Sequence, residues 1–145
     1  MKINKFKVPI YDWTIIVISD AESEDIPKLS KFLSRCGLHK EDLAYVEDKI
    51  EGKYYDGGYL LVDAGSMLSV LIIYPHKSES AFVNTIFHET DHIVDYIVDL
   101  VGLEGKEARG YLSGYVGENI YKVLTTEKKE TKTKKKTKTK KKGAK

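Results

Sequence analysis

Cysteine is almost absent from this 145-residue chain: Cys36 stands alone, so no intramolecular disulfide and no cysteine-based zinc finger can be built. Its setting among helix-spaced apolar residues makes it a small packed hydrophobe. No apolar run approaches the ~18 residues that a membrane-spanning helix requires. The first twelve residues carry three lysines but no apolar stretch ahead of a small-residue cleavage site, so no secretory leader is expected and the chain is expected to stay in the cytosol. No internal repeat is present. A hydrophobic content of 41% in a chain of this length is expected to form one globular domain with a true core.

Charge is plentiful but unevenly placed. Residues 127–145 hold 11 Lys and 2 Glu, a charge of +9, which leaves 13 basic and 20 acidic residues, −7, for the rest. The expected organisation is a domain over residues 1–126 followed by a disordered Lys-rich tail over 127–145, because a segment with no apolar side chain except Ala144 has no burial to offset its ordering entropy. Such a run can hold nucleic acid weakly and without sequence preference by displacing counterions from phosphates. It can equally serve only to keep the chain soluble. Nothing aromatic is interleaved to stack on bases.

Trp13 to Ser19 is a run of β-branched and aromatic residues and reads as a buried strand. Asp25 to Cys36 reads as a helix, with Pro27 in its first turn, Leu29, Phe32 and Leu33 at helical spacing, and Gly37 as its stop. His39 to Lys49 fits either a short helix or a strand. Tyr59 to Ala64 and Met67 to Tyr74 read as paired strands joined at Ala64-Gly65-Ser66, and Pro75 closes the sheet region. A long helix capped by Ser78 or Ser80 runs to Gly102, and another runs from about Lys106 to Leu124. Gly110, Gly114 and Gly117 share one stripe of that last helix and predict close approach to its predecessor. The pattern predicts an α+β domain in which a small, mainly antiparallel sheet packs against these last two helices.

The first of the two carries His88-Glu89-Thr90-Asp91-His92. Residues four apart on a helix stand one turn above each other on one face, so both imidazoles can clamp a single Zn²⁺. Glu89 between them points partly sideways, where it can act as a base beside a metal-activated water. From Phe82 to Val101 the apolar residues, Phe87, Ile93, Val94, Leu100 and Val101 among them, fall on one half of the helix. His88 and His92 fall on the other half, in line with Asp95 and Asp99. A histidine pair there is expected to face a cleft, with Asp95 either orienting His92 through its free N–H or simply solvated. His39 and His76 lie in or beside loops and read as surface residues.

A catalytic zinc site takes a third protein ligand, and Glu107 and Glu118 on the next helix are the candidates. They share a face about 16 Å apart, so only one can reach a given metal. A simple antiparallel hairpin brings Glu118 level with the histidines, whereas Glu107 requires a crossing near the start of the helix.

The segments HETDHIVDYIVDLVG and KEARGYLSGYVGENI resemble the zincin peptidases whose third ligand is a Glu on the following helix, and more closely the small metallopeptidases encoded by many bacteriophages. In those, HExxH is followed by a short linker and a Glu-x-x-Ala-Tyr-Leu type segment. Glu107-Ala108-Arg109-Gly110-Tyr111-Leu112 takes that place, with Gly110 where Ala is usual. The resemblance covers roughly residues 59–124 and implies a minimal zincin-like domain with His88, His92 and Glu107 as zinc ligands and Glu89 as general base. It implies a zinc-dependent peptidase or amide hydrolase acting on a peptide or protein, located in the host cytoplasm or in the virion. It also implies a substrate strand added along the sheet near Met67 to Tyr74. Tyr111 then serves either packing or an oxyanion. Two other readings stand beside this one: a non-catalytic phage structural or accessory protein that keeps the fold, and a nucleic-acid-associated protein held by the Lys tail.

Overall fold

A computed structural model describes residues 1–141, with side chains described through residue 126. The elements run β1 (Lys2–Val8), a 3-10 turn (Pro9–Tyr11), β2 (Trp13–Ser19), a 3-10 turn (Ser23–Asp25), α1 (Ile26–Arg35) and α2 (Lys40–Glu51). Then follow β3 (Gly58–Asp63), β4 (Leu68–Ile73), α3 (Glu79–Val101) and α4 (Lys106–Lys141). The expectation of disorder over residues 127–145 concerns a segment whose side chains lie outside the described residues. No described helix is long and apolar enough to cross a membrane.

The protein is α+β, with a four-stranded mixed sheet in the order β1-β2-β4-β3. Both outer pairings are antiparallel, but the central pair is parallel, with Thr14 opposite Leu68 and Ser19 opposite Ile73. A parallel pair needs a long crossover, which α1, α2 and β3 provide between β2 and β4. Both central strands are apolar on both faces, so each face needs a cover. Trp13, Ile15, Val17, Leu71 and Ile73 pack against α3 and α4. Ile18, Val70, Ile72 and Tyr74 pack against Leu29 and Leu33 of α1 and Val46 and Ile50 of α2. The sheet is therefore the middle of three layers, not the partner of two helices alone.

The ambiguous His39 to Lys49 segment is helical because Leu43, Val46 and Ile50 form one stripe facing the sheet. β1 went unread in the sequence because its lysines mask a period of two. Phe6 and Val8 turn to the core while Lys5 and Lys7 stay exposed, the usual protection of an edge strand.

The expected substrate edge near Met67 to Tyr74 is not available. β4 is bonded to β2 on one side and β3 on the other, so its backbone groups are already used. The open edges belong to β1 and β3. Of these, β3 lies beside the histidine helix, with Leu60 and Val62 in the same cluster as Ile93 and Ile97.

A polar pair sits inside the face covered by α3 and α4: the Trp13 indole N–H donates to Ser69 Oγ at 2.9 Å, and both residues are fully buried. Ser69→Ala leaves that N–H without a partner and is expected to cost about 1–3 kcal/mol. Chemical denaturation measures it, and an unchanged midpoint would show that another acceptor takes over.

Candidate functional site

Ser78 caps α3, its Oγ accepting the Ala81 N–H at 3.1 Å, and Gly102 ends the helix in a left-handed conformation. Between them the buried arc differs from the expected one. Phe87, placed by periodicity on the apolar half, is 71% exposed, and Leu100 and Val101 are exposed as well. Thr85, Glu89 and Thr90 are buried instead. The reason is the direction of the two neighbours: β3 approaches α3 on the side of Glu89 and α4 on the side of Thr90.

His88 and His92 stand on the exposed face, as expected, with their Nε2 atoms 3.2 Å apart and their rings nearly perpendicular. That is hydrogen-bond distance between the two rings, and it is also compatible with both nitrogens binding one tetrahedral zinc at about 2.0–2.1 Å each, which separates them by about 3.3 Å. Glu89 leaves that face and turns into the protein, where it is only 6% exposed. Its carboxylate lies against Gly58 of β3, so close that a Cβ on Gly58 would stand 3.0 Å from Oε1. Burial pushes the Glu89 carboxyl above the usual carboxylate range, while the electrostatic influence of His88 and His92 acts in the opposite direction.

Among the described residues, no group of three or more His, Cys, Asp or Glu side chains is assembled that could hold a metal ion. Glu107 is exposed in the first turn of α4 and does not complete a cluster with the histidines. Glu118 lines a cavity of about 780 Å³ between α3 and α4 together with His88, Thr90 and Gly117, but its carboxylate pairs with Lys122 at 2.6 Å.

Asp95 does not orient His92. Arg109 takes it, donating to Asp95 and, at 2.6 Å, to Asp91, so one guanidinium clasps the start of α4 to the middle of α3. Sequence reasoning passed over Arg109; the signal was its place in the segment after the linker, facing the aspartates at i and i+4 of α3.

The glycine stripe is used only in part. A Cβ at Gly117 would lie 3.5 Å from Thr90 Oγ1, whereas Gly110 and Gly114 face open space. His76 is half-buried rather than a surface residue, with its Nε2 2.9 Å from Thr85 Oγ1 and its ring edge-on to Phe82. His39 is exposed. Tyr111 is exposed rather than packed.

Searches of protein-family models, of curated proteins and of solved structures found no match for this chain.

The burial of Glu89 sets a pH dependence in the metal-free protein. Its folded pKa is raised above the unfolded value, so between the two the native state holds more protons and stability falls as pH rises through that window. Glu89→Gln removes the penalty. The variant is expected to exceed wild type in denaturation midpoint at neutral pH, and the gap should close near pH 4. A gap that does not change with pH would show that the carboxyl titrates as an exposed group.

Proposed function

We propose that the protein is a small zinc-dependent hydrolase of the peptidase type, with His88 and His92 as metal ligands and Glu89 as the general base. The observation that carries this reading is the 3.2 Å separation of the two exposed imidazole nitrogens, with the Glu89 carboxylate buried beside them and within their field. Two neutral imidazoles suit Zn²⁺. When bound, zinc supplies Lewis acidity, polarising a carbonyl and making water acidic enough to attack near neutral pH.

Glu89 takes the proton from the attacking water and returns it to the leaving amine. A carboxyl whose pKa is raised by burial holds and releases a proton more readily near neutral pH than an exposed one. The open edge of β3 offers backbone groups along which an extended peptide can lie as an added strand.

For the third ligand we retain Glu107, which the resemblance to phage metallopeptidases supplies. Arg109 clasps Asp91, and Glu107, two residues away and so on another side of α4, must turn toward the histidines to complete the site. A specific observation also favours a second reading. With only two ligands gathered among the described residues, a non-catalytic accessory protein that binds metal through the histidine pair is the alternative.

Metal analysis and peptide-cleavage assays on tag-free protein separate the two. Wild type is expected to hold about one zinc per chain, and His88→Ala and His92→Ala to lose it. Glu107→Ala should weaken zinc binding strongly and Glu118→Ala little. Glu89→Gln should keep zinc but lose about 10²- to 10⁴-fold in hydrolysis. Zinc bound equally by all variants would end the metal reading. Zinc bound specifically without cleavage would select the accessory protein.

A further inference from the structure

We infer that Gly58, the first residue of β3, is a positioning residue that sets where the Glu89 carboxylate stands; the inference rests on the hydrolase reading for its functional meaning. Glycine at this position is not demanded by the backbone. Among the described residues, the glycines with positive φ are Gly37, Gly102 and Gly105, all with open space where a Cβ would go, and Gly58 is not one of them. A glycine in a strand gives up packing and order, and it commonly marks a place where another group must come close.

At Gly58 the approaching group is Glu89. A Cβ there would stand 3.0 Å from Oε1 and 3.1 Å from both Cδ and Cγ. Contact with three bonded atoms means that the whole end of the side chain rests on the strand. Rotating the tip alone gives no relief, and a side chain only 6% exposed has little room to retreat.

The strand beneath is held along its β4 side. Gly58 is opposite Ile73 in the β3–β4 register, Tyr74 N–H donates to Gly57 O at 3.0 Å, and Asp56 N–H donates to Pro75 O at 2.9 Å. Leu60 and Val62, on the same strand face, are packed in the core with Ile93 and Ile97. An added methyl therefore bears first on the carboxylate, which must give by a few tenths of an ångström. His88 and His92 project from the exposed face of α3, and the atoms nearest a Gly58 Cβ all belong to Glu89, so the displacement changes the distance between base and water while leaving the imidazole pair in place. A misplacement of about 1 Å at a reacting group can cost about 10²-fold in rate, and the few tenths of an ångström that one methyl asks for cost correspondingly less.

Gly58→Ala and Gly58→Val, each made with Glu89 and with Glu89→Asp, test the assignment in the full-length zinc-loaded protein. Gly58→Ala should lower kcat about 3- to 10-fold and Gly58→Val about 10²-fold, with KM and zinc content nearly unchanged. The aspartate side chain of Glu89→Asp is one methylene shorter and withdraws from the added methyl. In that background Gly58→Ala should cost less than about twofold relative to Glu89→Asp alone. The denaturation midpoints of wild type, Gly58→Ala, Glu89→Asp and the double variant should show the same coupling, independent of any substrate.

Strictly additive midpoints overturn the assignment whatever the activity. An unchanged kcat in Gly58→Ala, where Glu89→Gln abolishes turnover, overturns it while the hydrolase reading stands. Full activity in Glu89→Gln overturns the hydrolase reading instead, and the positioning of the carboxylate is then decided by the midpoints alone. If Gly58→Val does not fold, the alanine cycle still gives the answer.

Discussion

The parallel pairing of β2 with β4 is the constraint from which the rest of the molecule follows. Two strands apolar on both faces, side by side, cannot leave either face to water, so helices must cover both. The crossover that a parallel pair requires supplies α1 and α2 for one face, and the chain leaving β4 supplies α3 and α4 for the other. Because α3 follows β4 directly and runs back along the sheet, it lies over β3, the edge strand. The histidine helix is placed by this topology rather than by any interaction of the histidines.

That placement separates the motif into two environments. His88 and His92 face out of the protein, where a metal and a substrate can reach them. Glu89, one residue on, turns toward β3 and loses most of its contact with water. Removing solvent from a carboxylate disfavours its charged form, and the electrostatic influence of the nearby histidines opposes this, so the proton affinity of Glu89 is set by the balance between strand and histidines. Gly58 is what allows the approach, since any side chain at the start of β3 would occupy the same space. On the other side of α3, Arg109 draws two aspartates together and fixes the first turn of α4. Half-exposed ion pairs of this kind contribute little to overall stability.

Much of the architecture was legible in local patterns. Trp13–Ser19, Gly58–Asp63 and Leu68–Ile73 are strands within a residue of where β-branched runs and turn residues put them, and α3 is bounded by Ser78, one of the two expected caps, and by the expected Gly102. β1 was not legible because lysine alternation at a sheet edge resembles a solvated segment. The buried arc of α3 differs from the periodic one, with Glu89 inside and Phe87 outside, because periodicity assumes that apolar side chains choose the direction of burial. Here the direction comes from β3 and α4, and the helix buries whatever faces them.

The sequence by itself determined that two imidazoles share one face of a helix with a carboxylate between them, since the geometry of an α-helix is fixed by spacing alone. It also determined most of the strands and helices, because those periods are local. The tertiary structure alone decided that β4 is interior and β3 the open edge, that Asp95 serves Arg109 rather than His92, and that Gly58 lies under Glu89. Each of these is a meeting of residues far apart in the chain. Such a meeting depends on strand order and helix direction, and neither leaves a periodic trace in the residues involved.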